Sequence, residues 1–380
     1  MLKTLYKYEL KKVFCAKLNM IAVTGAVIML VLLAVSSISE ARPVSRYAAG
    51  ELAGRAIDAQ LIDEMRPALW NENGTTAVRI TADYEKYVPV VDIMDVMMRA
   101  EGNDLDLTRV QGSELYDLRE KKLNQQKEKQ GLTETEKEFW RGQEAQVQKP
   151  FVYRYHRGPA NLLRSFQILG FFIMLLSAVG LSGVYAKETA DDMNQLLLCS
   201  RYGKKEIYMI KFAAGLTWIL TTAVTLFLSI LIPFAGAFGM EGMGEMLQLV
   251  NPLSMLPYSI GHMMIVYMGI YLLAAVFFAA VTMLLSVITQ NSLAVTCGLM
   301  GYLLIDLFVE FPDRFRVLQK IWMLRPNAIL KNGGFSYYRL IHIFRGLLLN
   351  YQAAPILYAL IIIGALFIGR WKYRRLQVGK

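Results

Sequence analysis

The chain has 380 residues, of which 55% are hydrophobic and only 19% are charged, and its mean hydropathy is +0.34. A soluble protein carries about 25% charged residues, and apolar runs of about 20 residues indicate membrane-spanning helices, so the composition excludes an ordinary soluble protein. The net charge is +10, but residues 40–160 carry 21 of the 31 acidic and 18 of the 41 basic residues, so the basic excess lies beside the apolar runs. There it indicates membrane orientation and anionic lipid, not nucleic acid.

Residues 1–17 form a basic amphipathic segment in front of the first apolar run. Apolar residues recur at helical spacing from Leu2 through Leu10 to Phe14, and four lysines lie mainly on the other face. This predicts a helix on the cytoplasmic membrane surface. The first span is predicted over residues 18–38. A cleavable signal peptide is the alternative, but the charged leader and the length of the apolar run favour an uncleaved anchor.

Residues 40–160 are predicted to form an external, mainly helical domain between the first two spans. The charge-dense residues 112–148 indicate a helical hairpin, and Thr133 with Glu136 fits the capping box that opens its second helix. No cysteine falls within the domain, so a disulfide framework is excluded there. Because the domain has few large apolar residues, we expect it to pack on a partner or on its own spans.

Five further apolar runs lead us to expect an all-α polytopic membrane protein with six transmembrane helices. The runs cover residues 162–186, 207–234, 258–288, 293–311 and 354–370. Strict alternation places both termini in the cytoplasm and residues 312–353 outside. That segment holds seven bases against one acid, which contradicts the positive-inside rule. We expect it to contain two apolar-faced helices, near residues 315–324 and 338–349, that dip into the outer membrane edge.

A charged segment, residues 187–206, joins the second and third spans on the cytoplasmic side. It begins with acids that include Glu188, continues with a short apolar ridge, and ends in a turn followed by lysines. This pattern predicts a helix that lies across the membrane surface. The residues alone leave open whether the helix rests on lipid headgroups or offers a docking surface to another protein.

Sequence motifs for chemistry are few. The phosphate-binding loop G-x-x-x-x-G-K-[ST] and the catalytic patterns H-E-x-x-H and G-x-S-x-G do not occur in the sequence. The three histidines are far apart, so we expect neither a metal site nor a catalytic centre. Asp306 and Glu310 lie four residues apart on one face of the fifth span. They form either a solvated rim or the outer mouth of a substrate path, since ionisable groups at membrane depth usually face a cavity or a partner.

In this order of elements the chain resembles the permease subunit of a bacterial type-2 ABC transporter, in the branch with a large external domain between the first two spans. The most specific match covers residues 188–211. The resemblance implies that residues 187–206 are the coupling helix, which sits in a groove of a separately encoded ATPase, and that residues 2–16 are the connecting helix on the inner leaflet. With Glu188 supporting the coupling helix, the residues implied to touch the ATPase are Gln195, Leu196, Leu197, Ser200, Arg201 and Tyr202.

The function that the resemblance implies is the permease subunit of an ATP-driven exporter in the bacterial cell membrane. The chain would not itself be an enzyme. ATP and Mg would be bound by two copies of the ATPase subunit, and a second permease half, identical or related, would complete the transporter. The exported substrate would be a peptide, a lipid-like molecule or a drug.

Two other hypotheses remain open at this stage. One is a mechanotransmitting permease-like protein that acts on an external partner without transport. Transport needs a continuous path through the outer half of the spans, and mechanotransmission does not. The other is a membrane enzyme that uses Asp306, Glu310 and a histidine.

Overall fold

The computed structural model describes residues 2–65, 85–98, 112–190, 206–312, 314–331, 335, 337–343 and 346–375. These residues are mostly helical. The helices are α1 (Leu2–Phe14), α2 (Lys17–Glu51), α3 (Ala59–Met65), α4 (Val88–Met98), α5 (Leu115–Lys129), α6 (Glu134–Glu144), α7 (Arg157–Leu181), α8 (Gly183–Ala190), α9 (Glu206–Phe238), α10 (Ile260–Thr289), α11 (Ser292–Phe308), α12 (Arg316–Trp322), α13 (Pro326–Leu330) and α14 (Asn350–Arg374). Single 3₁₀ turns lie at Glu85–Tyr87, Gly112–Glu114 and Leu247–Leu249.

Among the described residues, five helical spans are long and apolar enough to cross a membrane, as in a multi-pass membrane protein. They are α2, the continuous pair α7–α8, α9, α10 and α14. Helices α7 and α10 form the centre of the bundle: α7 packs on α10, α9, α11 and α2, and α10 also packs on α14. The buried share of the apolar stretch is 61% for the α7–α8 span and 50% for α10, against 17% for α2 and 28% for α14. The two outer helices therefore present apolar side chains to the outside, where lipid can cover them.

The second predicted span is broken near its end. Ser182 separates α7 from α8, and the hydroxyl of Ser286 on α10 fills the gap in the helical hydrogen bonds. Ser286 Oγ donates to Ser182 O at 2.6 Å and accepts from the amides of Tyr185 at 3.3 Å and Ala186 at 3.1 Å. The break thus redirects α8 while leaving its backbone groups satisfied.

The other span boundaries differ from the sequence prediction by a few residues, with one larger departure. Helix α2 continues to Glu51, beyond the predicted end at residue 38, whereas α9 runs through Pro233 only as far as Phe238. The chain turns tightly between the fourth and fifth predicted spans: Gln290 adopts φ 52° at the end of α10, and the side chain of Asn291 caps α11. Helix α11, the fifth predicted span, is apolar but has only 17 residues.

One helix prediction in residues 312–353 is wrong. The first predicted helix of that segment is present as α12, but residues 338–349 contain a β-hairpin of β1 (Ile341–Ile343) and β2 (Gly346–Leu348). The strands are antiparallel, with Ile341 opposite Leu348. A short apolar run does not distinguish helix from strand by periodicity alone, and β-branched isoleucines favour the strand.

The described residues between α2 and α7, here called the insert domain, have a small apolar core of their own. Leu61 on α3, Met94 on α4 and Leu115 at the start of α5 are fully buried in it, and Leu249 from the α9–α10 loop completes it. The predicted helical hairpin is present as α5 and α6. Its capping box is confirmed, since Thr133 Oγ1 accepts from the Glu136 amide at 3.3 Å and Thr133 N donates to Glu136 Oε2 at 2.9 Å.

The buried carboxylate of Glu136 binds the hairpin to the segment that follows α11. Arg316 Nη2 lies 2.5 Å and Lys320 Nζ 3.2 Å from its oxygens, and the Leu340 amide donates to it at 3.1 Å. Arg339 Nε likewise donates to Gln130 O at 2.5 Å. Arg316, Lys320 and Arg339 are among the basic residues that contradict the positive-inside rule. Because the insert domain pairs or hydrogen-bonds them, their charge is weak evidence for the side of the membrane on which they lie.

A second buried polar contact ties the same hairpin to the α9–α10 loop. Arg119 on α5 is fully buried, donates from Nε to Pro252 O at 2.6 Å and from Nη2 to Ser254 O at 3.0 Å, and pairs with Glu144 at 2.5 Å. The expectation that the domain packs on its own spans is therefore met for the described residues. Charged and apolar contacts together fix the hairpin to the bundle, since Leu123, Leu132 and Trp140 belong to the main apolar core.

The Glu136 contacts predict a pH-dependent stability. Burial raises the pKa of its carboxyl, but amide and cation hydrogen bonds outweigh burial and lower the pKa from 4.5 to about 2. A lowered folded-state pKa stabilises the fold above the unfolded value and is lost as pH falls. At pH 7 Glu136→Gln should therefore lower the free energy of unfolding by about 3 kcal/mol.

The difference between wild type and Glu136→Gln should shrink by more than about half between pH 7 and pH 3, measured by thermal unfolding in mild detergent. Glu138→Gln, a change at an exposed acid of the same helix, is the matched control and should give no such trend. A difference that stays constant down to pH 3 would contradict the assignment.

Candidate functional site

Four charged residues at the end of the bundle opposite the insert domain form a cluster, here called the ion cluster: Glu9, Lys12, Glu188 and Lys211. Glu188 and Lys211 are buried, whereas Lys12 is half exposed. Lys211 is fully buried and pairs closely with Glu188 Oε1. Lys12 Nζ reaches the same oxygen at 2.8 Å, and Glu9 Oε2 lies 3.9 Å from Lys211 Nζ. Two acids face two bases, so the cluster is neutral as a whole.

Three helices bring these residues together. Glu9 and Lys12 lie on α1, Glu188 lies on α8, and Lys211 lies near the start of α9. Helix α1 runs along α9, where Tyr6 Oη and Thr217 Oγ1 are 2.7 Å apart. The amphipathic helix predicted at the N-terminus is therefore present, and its acid and one lysine face the second and third spans.

Three tyrosines extend the ion cluster to the last helix. Tyr185 stacks on Tyr208 with ring centroids 5.3 Å apart, and Tyr373 of α14 packs against both rings at 5.7 Å. Tyr185 Oη also donates to Tyr208 O at 2.8 Å. The N-terminal helix, the end of α14 and both ends of the link between α8 and α9 thus meet at one end of the bundle, as the sequence predicts.

Of the residues predicted to form the contact with an ATPase, Glu188 is described, and it lies in the ion cluster at the end of α8. The other six, Gln195, Leu196, Leu197, Ser200, Arg201 and Tyr202, lie outside the described residues. What the structure describes is the frame of that segment: residues 189–205 begin directly after Glu188 and end just before α9, which carries Lys211.

The predicted substrate-path residues lie at the other end, where α11 meets α12 and α13. Asp306 is buried, forms a close ion pair with Arg325 and accepts from Asn327 Nδ2 at 2.7 Å. Arg325 also lies over the ring of Trp322, 3.5 Å from its centroid. Glu310 is exposed and only 3.5 Å from the exposed Lys331. The ion pair and the hydrogen bond fix the side chain of Asp306 in the structure. Glu310 is solvent-exposed, as the solvated-rim hypothesis expects.

A cavity of about 680 Å³ opens beside these residues, within the range of small-molecule sites. Both Asp306 and Glu310 line it, with Trp322 and Arg325 from the α12–α13 segment and a stripe of α7 that begins at Arg164. The structure therefore brings the second and fifth predicted spans together around a space. Both acids border this space, and their assignment to a substrate path stays a prediction.

The described histidines do not form a shared site. His156 contacts Arg154 O through Nδ1 at 2.7 Å, His262 stacks on Tyr258 with centroids 4.5 Å apart, and His342 lies in β1. Within the part of the chain that the structure describes, no three His, Cys, Asp or Glu side chains are grouped to hold a metal ion.

Sequence reasoning missed the partners that complete both sites. Lys211 lies within an apolar helix, and a charge in such a helix indicates an oppositely charged partner. The nearest candidate in the sequence is Glu188, at the end of the preceding span. The pairing of Asp306 with Arg325 and Asn327 had no such signal, because the order of α12 and α13 around α11 is set by tertiary packing.

Comparison of the chain with known protein families, with curated proteins and with solved structures finds no match in any of the three. The functional argument therefore depends on the ion cluster, the cavity and the sequence.

Removing one partner of the buried Lys211–Glu188 pair should be strongly destabilising. Lys211→Met leaves an acid without its closest base, and such changes lower the free energy of unfolding by about 3–5 kcal/mol. In Lys211→Met the buried Glu188 carboxylate retains only the half-exposed Lys12 as a base. Because Glu188→Gln removes that charge, the double variant should be more stable than Lys211→Met alone, measured by thermal unfolding in mild detergent.

The matched control is Lys331→Met, which breaks the exposed Lys331–Glu310 pair and should change stability by no more than about 1 kcal/mol. If Lys211→Met were as mild as this control, the ion cluster would not hold the helices together.

Proposed function

We propose that this chain is the permease subunit of an ATP-driven exporter in the bacterial cell membrane, with six spans and with both termini and residues 187–206 on the cytoplasmic side. A separately encoded ATPase, in two copies, binds ATP and Mg and docks on that segment through Leu196, Leu197 and their neighbours. A second permease half, identical or related, completes the transporter. The chain itself performs no catalysis.

The observation that carries the proposal is the ion cluster. A segment that transmits movement from a partner to a membrane domain must be attached firmly at both ends, because a loosely attached end would move without moving the spans. Glu188 and Lys211 join the helices on either side of the segment, and Lys12 adds α1 to the same carboxylate. Movement of residues 189–205 is therefore passed to α7, α9 and α1 together.

The cavity supports transport as the use of that movement. It lies between α7, which leads into the segment through α8, and α11 with the helices that follow. Displacement of α7 changes the width of this space directly. An amphipathic helix that only rests on lipid, the bland alternative for residues 187–206, explains neither the ion cluster nor the cavity.

The insert domain favours one second candidate, a mechanotransmitting protein that acts on an external partner without transport. Arg119 and Glu136 join the domain to the α9–α10 loop and to α12 by buried charged contacts. Motion of the spans would reach the domain through these contacts. In this candidate the insert domain, and not the cavity, contains the working surface.

The first test is affinity purification of the tagged chain from its source cells in mild detergent, followed by an ATPase assay. Wild type should bring down a soluble ATP-binding subunit, and the Leu196→Asp, Leu197→Asp double variant should lose it. Two charges placed on an apolar docking ridge would be buried unpaired, which weakens binding by about 2 kcal/mol or more.

The matched control is the Val317→Asp, Leu318→Asp double variant. It makes the same chemical change at two adjacent exposed apolar residues of α12, at the opposite end of the bundle. It should retain the ATPase partner. Wild-type protein that purifies without any ATP-binding subunit would overturn the exporter and mechanotransmitter proposals together.

A further inference from the structure

Arg164 lies in the wall of two neighbouring cavities. The first is the 680 Å³ cavity between α7, α11 and the α12–α13 segment. The second, of about 350 Å³, lies between α4, α7 and the loop around Leu249 and Pro252. Arg164 is a lining residue of both, so its guanidinium stands where the bundle cavity meets the insert domain.

The charge of Arg164 is unmatched in the first cavity. Asp306 is already engaged by Arg325 and Asn327, and Glu310 faces Lys331. Within the described chain, Arg164 makes no hydrogen bond and no ion pair. Across the second cavity, burial raises the pKa of Asp92, and Arg157 and Arg164 oppose that effect. The first cavity therefore carries one excess positive charge.

The remaining wall is suited to an apolar body. Ile168 and Phe171 continue the stripe of α7 that starts at Arg164, and Leu307, Phe311 and Trp322 face them from the other side. Gln167 adds an exposed amide one turn from Arg164, and it too makes no hydrogen bond to any described residue. A cationic and polar corner thus adjoins an apolar slot.

We propose that this cavity binds an amphiphile with a single anionic head group, whose head contacts Arg164 and Gln167 and whose apolar body lies along Phe171 and Trp322. Cationic amphiphiles are disfavoured because both acids of the cavity already have basic partners. If the chain is the permease proposed above, anionic amphiphiles are its substrate class, a step that rests on that function. The binding itself does not.

Trp322 provides the readout. The probe is 9,10-dibromostearate, whose bromines quench a nearby indole, and the comparison ligand is its uncharged methyl ester. Full-length protein is placed in phosphatidylcholine nanodiscs, and the contribution of Trp322 is obtained by subtracting the titration of Trp322→Phe. Dibromostearate should quench Trp322 saturably, at a concentration about tenfold lower than the ester, since a hydrogen-bonded charge pair contributes that much.

Arg164→Gln should raise the half-saturating dibromostearate concentration about tenfold and remove the preference over the ester, while Arg164→Lys should keep most of the preference. The matched control is Arg154→Gln, a change at an exposed arginine outside both cavities, which should bind as wild type does. Thermal unfolding of each variant checks that the fold is retained.

Three outcomes would overturn the proposal: equal quenching by acid and ester in wild type, equal effects of Arg164→Gln and Arg154→Gln, or a linear, unsaturable signal that reports only partition into lipid. No ATPase takes part in this titration. Its failure therefore leaves the coupling proposal standing, and loss of ATPase co-purification leaves the binding result standing.

Discussion

The buried pair of Glu188 and Lys211 is the contact on which the ordering of one end of this bundle depends. Charges removed from water are stable only when an opposite charge and further hydrogen bonds replace the solvent. Here Glu188 Oε1 pairs with Lys211 and with Lys12 and so joins α8, α9 and α1, while the buried Glu188 Oε2 has no hydrogen-bond partner among the described residues. A shift of α8 relative to α9 would separate Glu188 from the fully buried Lys211. The pair therefore opposes relative movement of these two helices at this end.

The same constraint fixes the insert domain at the opposite end. Buried charged groups contribute to the attachment: Arg119 reaches two backbone carbonyls of the α9–α10 loop, and Glu136 meets Arg316 and Lys320. Leu123 and Trp140 add apolar contacts with the main core. Because the charged contacts are directional, they fix the orientation of the insert domain, whereas apolar packing alone allows sliding.

Much of this fold could be predicted from the sequence because its main signals are local. Apolar runs gave the spans, and the capping box at Thr133 gave the start of α6. What could not be predicted depends on residues distant in the chain. Glu136 and Arg316 are separated by 180 positions, and nothing near either one indicates the other. The β-hairpin after residue 340 was misassigned because three-residue strands carry too few residues to show a period.

Arg164 differs from the buried acids of this fold, which form ion pairs. The carboxylates of Glu136, Glu188 and Asp306 are each buried, and each pairs with a base. Arg164 borders two cavities and makes no hydrogen bond or ion pair with a described residue, and Asp92 acts on it only across the second cavity. A guanidinium needs no partner in open water, but beside an apolar slot its field is weakly screened and favours a negative group. An anion supplied from outside the chain is the counterpart that this arrangement lacks.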